Sequence, residues 1–298
     1  MGCGPSQVAP EGIDSDYAIR RAAKETRKFI KKLNAKLKLR NDGRDPLGVP
    51  PSAVPQRVYN AAASPYTYTT GAGLLESVRT GAIKPLRGRF VMALHKNGGR
   101  LKRRQDLPDE AFWTYEELKA MAEKLGGDYG ALFVALSYRW LSADHPDPDG
   151  FHLAIIAEVA GLYLKSGDLT SAFSCAGLDE DLTDFALFWD FASLTQKPRK
   201  PEEELLFMPG LTASNIWYGH LRSVCWQQKT LPEGFSFAPF LDNKTGEMRT
   251  PAQTYEDSGW CFIESIISAG IKEGYSRLDL AKRTEEAMGK GYYDALQH

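Results

Sequence analysis

Polar and aromatic side chains at the ends of two apolar runs are the residues of this chain best suited to chemistry. The run over residues 131–138 leads into Arg139 and Trp140, and a second run, over 185–191, holds Asp190. An arginine can bind a pyrophosphate through paired hydrogen bonds, a carboxylate can orient a ribose, and a hydroxyl can donate a hydrogen bond. The predicted ligand-binding residues in these two regions are Ser137, Arg139, Trp140, Asp190 and Ser193.

Trp260 and Glu264 form a third candidate group because they are one helical turn apart in a helical pattern over 260–272. A carboxylate at Glu264 can oppose the positive charge of an oxocarbenium-like transition state. The indole of Trp260 can stack on a flat ring, and a cationic ring favours that stack. Glu264 and Trp260 are therefore candidate site residues, with Trp260 as a further ligand-binding residue; the catalytic role of Glu264 is implied by a family resemblance given below.

Each of these residues also has a structural interpretation. Trp260 can be a core aromatic residue, and Glu264 can form an ion pair with Arg139 across strand and helix. Asp190 can cap the turn that follows its strand. The sequence alone leaves these alternatives open.

The elements that must position these residues alternate between strand and helix. Short, continuous apolar runs are typical of fully buried strands, and longer segments with helical spacing follow them. This alternation predicts an α/β fold with a parallel sheet flanked by helices, whose ligand sites lie beyond the carboxyl ends of the strands. The predicted strands are 131–138, 185–191 and 223–227, the predicted helices are 151–165, 213–221 and 260–272, and residues 232–255 form a long polar loop.

Three segments resemble the motifs of heterokaryon-incompatibility (HET) domains. Residues 134–140 (VALSYRW) resemble the opening motif, 188–196 (FWDFASLTQ) the second, and 258–264 (SGWCFIE) the third, with 216–218 (IWY) resembling the helix between them. HET domains are related in fold to Toll/interleukin-1 receptor (TIR) domains, and the first motif also resembles the first TIR strand. The resemblance covers residues 130–275 and implies a TIR-like, flavodoxin-like fold.

The resemblance also implies an activity. In enzymatic TIR domains the Trp-Cys-x-x-Glu pattern carries the glutamate of NAD hydrolysis, and here that glutamate is Glu264. NAD or a related nucleotide is then the substrate rather than a bound cofactor. Two positions depart from the HET pattern, Ser258 in place of arginine and Ile263 in place of glutamine. The alternative is a non-catalytic, self-associating signalling or scaffold domain.

The first forty residues predict attachment to a membrane. Met1 to Ser6 fit the N-myristoylation pattern, with Gly2 as the acceptor, and Cys3 is placed for palmitoylation. A basic segment with a partial apolar stripe follows over 17–40, which predicts a helix lying on an anionic membrane surface. We therefore expect a lipid-anchored protein at the cytoplasmic face of a membrane. A solvated helix face or a calmodulin-type partner fits the basic segment too.

Domain organisation follows from these patterns. We predict a basic membrane-binding arm over 1–40, a linker over 41–80, a small extension over 81–129 that packs on the main domain, and the α/β domain over 130–298. Within the extension, 90–94 predicts a short strand, and a capping box at Thr114 opens a helix.

Composition excludes several classes of protein. The chain has 37 basic and 38 acidic residues, which argues against a nucleic-acid-binding protein. Its four cysteines form no Cys-x-x-Cys pair, and its five histidines show no ligand spacing, so no metal and no resident cofactor are expected.

Overall fold

The computed structural model describes residues 15–39, 68–69, 72–125 and 131–283. The predicted lipidation residues Gly2 and Cys3 lie outside these ranges. The helices are α1 (Ser15–Leu37), α2 (Ala72–Arg79), α3 (Gly88–Lys96), α4 (Tyr115–Lys124), α5 (Phe151–Tyr163), α6 (Gly167–Cys175), α7 (Asp190–Ser193), α8 (Pro201–Gly219) and α9 (Gly259–Ile271). The strands are β1 (Leu86–Arg87), β2 (Phe133–Tyr138), β3 (Ala186–Phe188), β4 (Ser223–Gln228), β5 (Phe240–Leu241), β6 (Met248–Arg249) and β7 (Arg277–Asp279).

A five-stranded sheet in the order β1-β3-β2-β4-β7 forms the centre of the fold. Strands β3, β2, β4 and β7 are parallel, and β1 pairs with β3 in the antiparallel direction. All six residues of β2 are buried, as expected for a strand covered on both faces. The predicted α/β class with a sheet flanked by helices is confirmed, but the sheet is mostly rather than wholly parallel because β1 runs antiparallel to β3.

Helices cover the two faces of the sheet. On one face, Phe133 of β2 packs its ring edge-on against Trp217 of α8, with 5.5 Å between the ring centroids. On the other face, Trp226 of β4 packs against Tyr163 of α5 at 5.6 Å. Successive side chains of a strand point to opposite faces, so this division decides which neighbours each site residue can have.

The segment before residue 130 is joined to the sheet by a buried charge cluster. The guanidinium group of Arg87, in β1, contacts the carboxylate of Glu117, in α4, and its Nη1 lies 3.9 Å from Asp184 Oδ2, just before β3. The guanidinium carbon also lies 4.5 Å from the centre of the Trp113 ring. Burial raises the pKa of Asp184 to about 6, against the opposing effect of the two arginines Arg87 and Arg89.

The extension itself corrects one prediction and confirms another. Residues 90–94 are not a strand but part of α3, because Phe90, Val91 and Leu94 are spaced to reach the core from one side of a helix. The predicted capping box is present: Thr114 Oγ1 accepts a hydrogen bond from the Glu117 amide, and the Glu117 carboxylate accepts one from the Thr114 amide.

The basic segment forms α1, as predicted, and α1 packs on the protein. Its apolar side is buried, and three of its cations pair with carboxylates of other segments: Arg27 with Glu110, Lys32 with Asp181, and Lys36 with Asp179. The remaining basic side chains of the helix are exposed. Among the described residues, no helix is long and apolar enough to cross a membrane.

Other boundaries differ from the predicted ones. Helix α2 lies in the predicted linker, α8 begins at Pro201 rather than 213, and β3 ends at Phe188, where α7 follows after one residue. The predicted loop over 232–255 contains the β5–β6 hairpin, and β7 was not predicted. Pro209 and Gly210 usually interrupt a helix, yet both are buried inside α8.

Candidate functional site

The carboxyl group of Glu264 is hydrogen-bonded to two hydroxyl groups, and a third joins the cluster through Ser137. Ser137, near the carboxyl end of β2, donates a hydrogen bond to Glu264 Oε2 at 2.5 Å, and its Oγ lies 2.6 Å from the Tyr255 hydroxyl. The Tyr218 hydroxyl, on α8, also hydrogen-bonds the Glu264 carboxyl group and lies 3.1 Å from the carbonyl of Leu136. The cluster joins β2, α8, α9 and the loop that contains Tyr255.

The environment of Glu264 favours the protonated carboxyl group. Burial is the main cause that raises its pKa to about 8, and the negative charge of Asp190 adds to it, while the Ser137 and Tyr218 hydrogen bonds act in the opposite direction. The hydroxyl of Tyr218 has one proton to donate. If the protonated carboxyl group of Glu264 donates to the Tyr218 oxygen, the hydroxyl proton of Tyr218 stays available for the Leu136 carbonyl.

Arg139 does not neutralise Glu264, so the predicted alternative of an ion pair between them is wrong. The guanidinium Nη2 of Arg139 donates to the carbonyl of Ala252 at 3.1 Å, and its central carbon lies 4.2 Å from the centre of the Phe237 ring. The loop over 232–255 therefore holds Arg139 away from the carboxyl group.

Asp190 forms a second polar group with residues of β2 and the loop after it. Its carboxylate accepts hydrogen bonds from the Tyr138 hydroxyl at 2.8 Å and from the Trp140 indole at 2.9 Å. It also accepts one from the backbone amide of Phe191 at 2.6 Å. Burial raises the pKa of Asp190, and these three donors oppose that rise. Asp190 is the first residue of α7, and the N-cap of this helix is Trp189, which makes no side-chain cap hydrogen bond; the bond from Phe191 is a contact between adjacent residues inside the turn.

Ser193 and Trp260 have different environments from those expected of a shared pocket. Ser193 is buried, and its Oγ accepts a hydrogen bond from the Trp189 amide at 3.1 Å, which stabilises the turn of α7. Trp260 is 63% exposed on the outer side of α9. It is not a core aromatic residue, so that alternative is wrong.

The strand alternation explains why the predicted residues divide into two groups. Ser137 points toward α8 and α9, where it meets Glu264, while Tyr138 points toward α5, where its ring lies 5.1 Å from that of His152. Asp190 connects the groups, since it accepts from Tyr138 and its charge contributes to the raised pKa of Glu264.

Two residues of the Glu264 cluster were not identified from the sequence. Tyr255 lies in the predicted polar loop, where no periodic pattern assigns a side chain to a partner. Tyr218 stands in the 216–218 segment that carried the resemblance, so a signal for it was present. Both have hydroxyl groups whose pKa is raised by burial.

A cavity of about 650 Å³ lies beside the Asp190 group. Trp140 is the one predicted site residue among those that line it, and Phe191 lines it as well. No cluster of three or more histidine, cysteine, aspartate or glutamate residues suited to a metal ion occurs in the ranges that the structure describes.

No protein-family model, no curated protein and no solved structure matches this chain. Glu264 and its hydroxyl partners are the candidate catalytic centre of this chain.

Raising the pH from 6 to 9 should destabilise the wild-type protein relative to Glu264→Gln by about 2–3 kcal/mol. The unfolded carboxyl group titrates near its ordinary pKa of 4.5, whereas the folded one titrates near 8. Between pH 4.5 and pH 8 the Glu264 carboxyl group is protonated in the folded state but ionised in the unfolded state. The free energy of unfolding therefore falls as the pH rises and levels off above about pH 8. Glutamine stays neutral throughout.

Urea unfolding at both pH values measures this difference. Glu233→Gln, which changes an exposed loop carboxylate, is the control and should follow the wild type. Parallel pH profiles for wild type and Glu264→Gln would contradict the raised pKa.

Proposed function

We propose that this chain hydrolyses the N-glycosidic bond of NAD or a related nucleotide, with Glu264 as the catalytic residue. The observation that carries the proposal is a carboxyl group with a pKa near 8 that hydrogen-bonds the end of a parallel strand and has no cationic partner among the described residues. Perturbed carboxyl groups at such strand ends are typical of functional sites rather than of structural ion pairs.

The chemistry requires the ionised form of Glu264. The bond between the ribose carbon and the nicotinamide nitrogen breaks, and the electron pair leaves with the nicotinamide, so positive charge grows on the sugar. The carboxylate opposes that charge, then accepts the proton that an attacking water loses as its oxygen bonds to the sugar carbon. A bound cationic nicotinamide ring lowers the cost of ionising Glu264, because opposite charges nearby favour the charged form.

A neighbouring residue has a supporting task in this proposal. The Ser137 hydroxyl, 2.5 Å from Glu264 Oε2, orients the carboxylate.

We also propose that the fold belongs to the TIR-like, flavodoxin-like group. Counted along the chain, the four parallel strands are arranged second, first, third, fourth. This is the order of the first four strands of doubly wound sheets of the flavodoxin type. In that arrangement the ligand crevice opens beside the first strand, which here is β2, the strand that carries Ser137.

The full chain should release nicotinamide from NAD, and Glu264→Gln should abolish that release. The rate at low substrate should rise close to tenfold per pH unit below about pH 8 and level off above it, because the active form is the ionised carboxylate. Chromatographic quantification of nicotinamide measures both effects, with Glu233→Gln as the control.

Equal nicotinamide release by wild type and Glu264→Gln would refute the catalytic role. If the wild-type protein releases no nicotinamide at concentrations that allow self-association, the catalytic proposal is replaced by the second candidate function, that of a self-associating signalling or scaffold domain.

The outer face of α9 favours that second function, self-association as a signalling or scaffold domain. Trp260 is 63% exposed, Phe262 54%, Ile263 47% and Ile266 53%. The only charged residue of Gly259–Ile271 is Glu264, which points inward to Ser137. An uncharged apolar face can pack against the same face of a second copy without like-charge repulsion, so a second copy is the partner that we propose.

Ile266→Asp should shift the protein toward the monomer, because it places a charge in the centre of this face. Sedimentation velocity over a concentration series measures the change. Tyr17→Asp, at an exposed aromatic residue on α1, is the matched control. Glu264→Gln should leave association unchanged if the scaffold function is independent of catalysis, and a wild-type protein that stays monomeric would rule this function out.

Membrane attachment remains part of both proposals. The apolar side of α1 is buried, so the exposed basic side chains are the part of α1 available to an anionic surface. They would add to acyl chains on Gly2 and Cys3.

Gly2→Ala should move the protein expressed in eukaryotic cells from the membrane fraction to the soluble fraction, because the acyl acceptor is lost. Gly4→Ala keeps the acceptor and is the control. Unchanged partitioning of Gly2→Ala would contradict myristoylation.

A further inference from the structure

The cavity beside Asp190 is bounded by three segments that are distant in sequence. Residues 100–106 form one side, and residues 140–145 and 191–199, which follow β2 and β3, form the others. It therefore lies at the carboxyl ends of two parallel strands, where ligands of such sheets bind. Its volume of about 650 Å³ lies in the range of small-molecule sites, and the cavity is partly open to solvent.

Cations dominate the lining of this cavity. Two acidic residues, Asp106 and Asp144, are also present, and Asp106 is already paired with Arg103 through a hydrogen bond of 2.6 Å. Cations that converge on a concave site concentrate an anionic ligand there. The five cationic residues of the lining are Arg100, Lys102, Arg103, Lys197 and Arg199.

Three of the five cations have carboxylate partners. Besides Arg103, Lys102 pairs with Asp16, and Arg199 pairs with Glu204 at 3.2 Å. In the part of the chain that the structure describes, Arg100 and Lys197 form no ion pair, and Arg100 donates only a 3.3 Å hydrogen bond to the Gly99 carbonyl. These two side chains, from two segments that line the cavity, have charge available for a ligand.

An aromatic wall stands next to the cations. The indole N–H of Trp140 is held by Asp190 at 2.9 Å, and the ring packs edge-on against Phe191, with 5.7 Å between centroids. The His145 ring also packs against Phe191, with 4.7 Å between centroids, and the His145 Nε2 lies 3.0 Å from the Leu101 carbonyl. Rings fixed in this way lose little freedom when a ligand stacks on them.

We infer that this cavity binds the diphosphate of a nucleotide, with Arg100 and Lys197 on the phosphates and Trp140 against the sugar or base. Cations together with a fixed indole suit a phosphorylated organic ligand better than a simple anion. The choice of a nucleotide rests on the proposed function, since NAD carries a diphosphate, but binding does not require Glu264. Arg100 belongs to the segment before residue 130, so the site depends on the extension as well as on the sheet.

Isothermal titration of the full chain with ADP tests the inference, with AMP and adenosine as comparison ligands. ADP should bind more tightly than AMP, adenosine should bind weakest, and Arg100→Gln combined with Lys197→Gln should weaken ADP binding at least tenfold. Glu264→Gln should bind ADP like the wild type, which separates this site from the catalytic proposal. Lys165→Gln combined with Lys244→Gln, two exposed lysines outside the cavity, is the matched control.

Several results would overturn the inference. These are ADP binding that the cavity variant leaves intact, an equal loss in the control variant, or adenosine binding as tight as that of ADP. Another such result is a protein that does not bind ADP and instead binds, through Arg100 and Lys197, vesicles that contain a bisphosphorylated inositol lipid. That result would assign the site to a lipid headgroup. Thermal unfolding of each variant verifies that it is folded, and the single substitutions replace the double one if it is not.

Discussion

Burial of β2 on both faces and along both edges is the constraint on which the rest of the structure depends. Strands β3 and β4 satisfy its backbone from the two sides, which aligns the carboxyl ends of three parallel strands. A hydroxyl group buried near such an end needs a partner, because an unsatisfied one costs free energy. Ser137 finds its partners in Glu264 and Tyr255, and this need connects α9 and the long loop to the centre of the sheet.

The two carboxyl groups near this edge have unequal support. Asp190 accepts from a hydroxyl, an indole and a backbone amide, whereas Glu264 has hydroxyl neighbours and a larger rise in pKa. Where two acids are close and no cation stands between them, the one with more donors ionises first and makes ionisation of the other harder. The different environments of Asp190 and Glu264 thus follow from the elements that each residue adjoins.

The sequence predicted those features that depend on local pattern. Helical spacing predicted α9, an apolar run predicted β2, and the Thr114 capping box predicted the start of α4. Tertiary contacts decided the rest. The sequence predicted a strand over residues 90–94 because five consecutive apolar residues show no helical or strand periodicity. It predicted Ser193 as a ligand-binding residue because the hydrogen bond from the Trp189 amide to Ser193 forms only in the folded turn. The sequence could have predicted the pairing of Ser137 with Glu264, since both were placed at one edge of the sheet. The position of Tyr255 and the hydrogen bond from Arg139 to Ala252 could not be predicted, because they depend on how a loop of more than twenty residues folds back.

The buried cluster of Arg87, Glu117 and Asp184 has a consequence for how the protein can be divided. A boundary at residue 130 looks natural in the sequence, yet it would remove two of the three charges and leave Asp184 without its cationic neighbours beside β3. It would also strip Trp113 and Phe90 from the same core. The extension and the sheet therefore share one buried core, which a cut at residue 130 would divide.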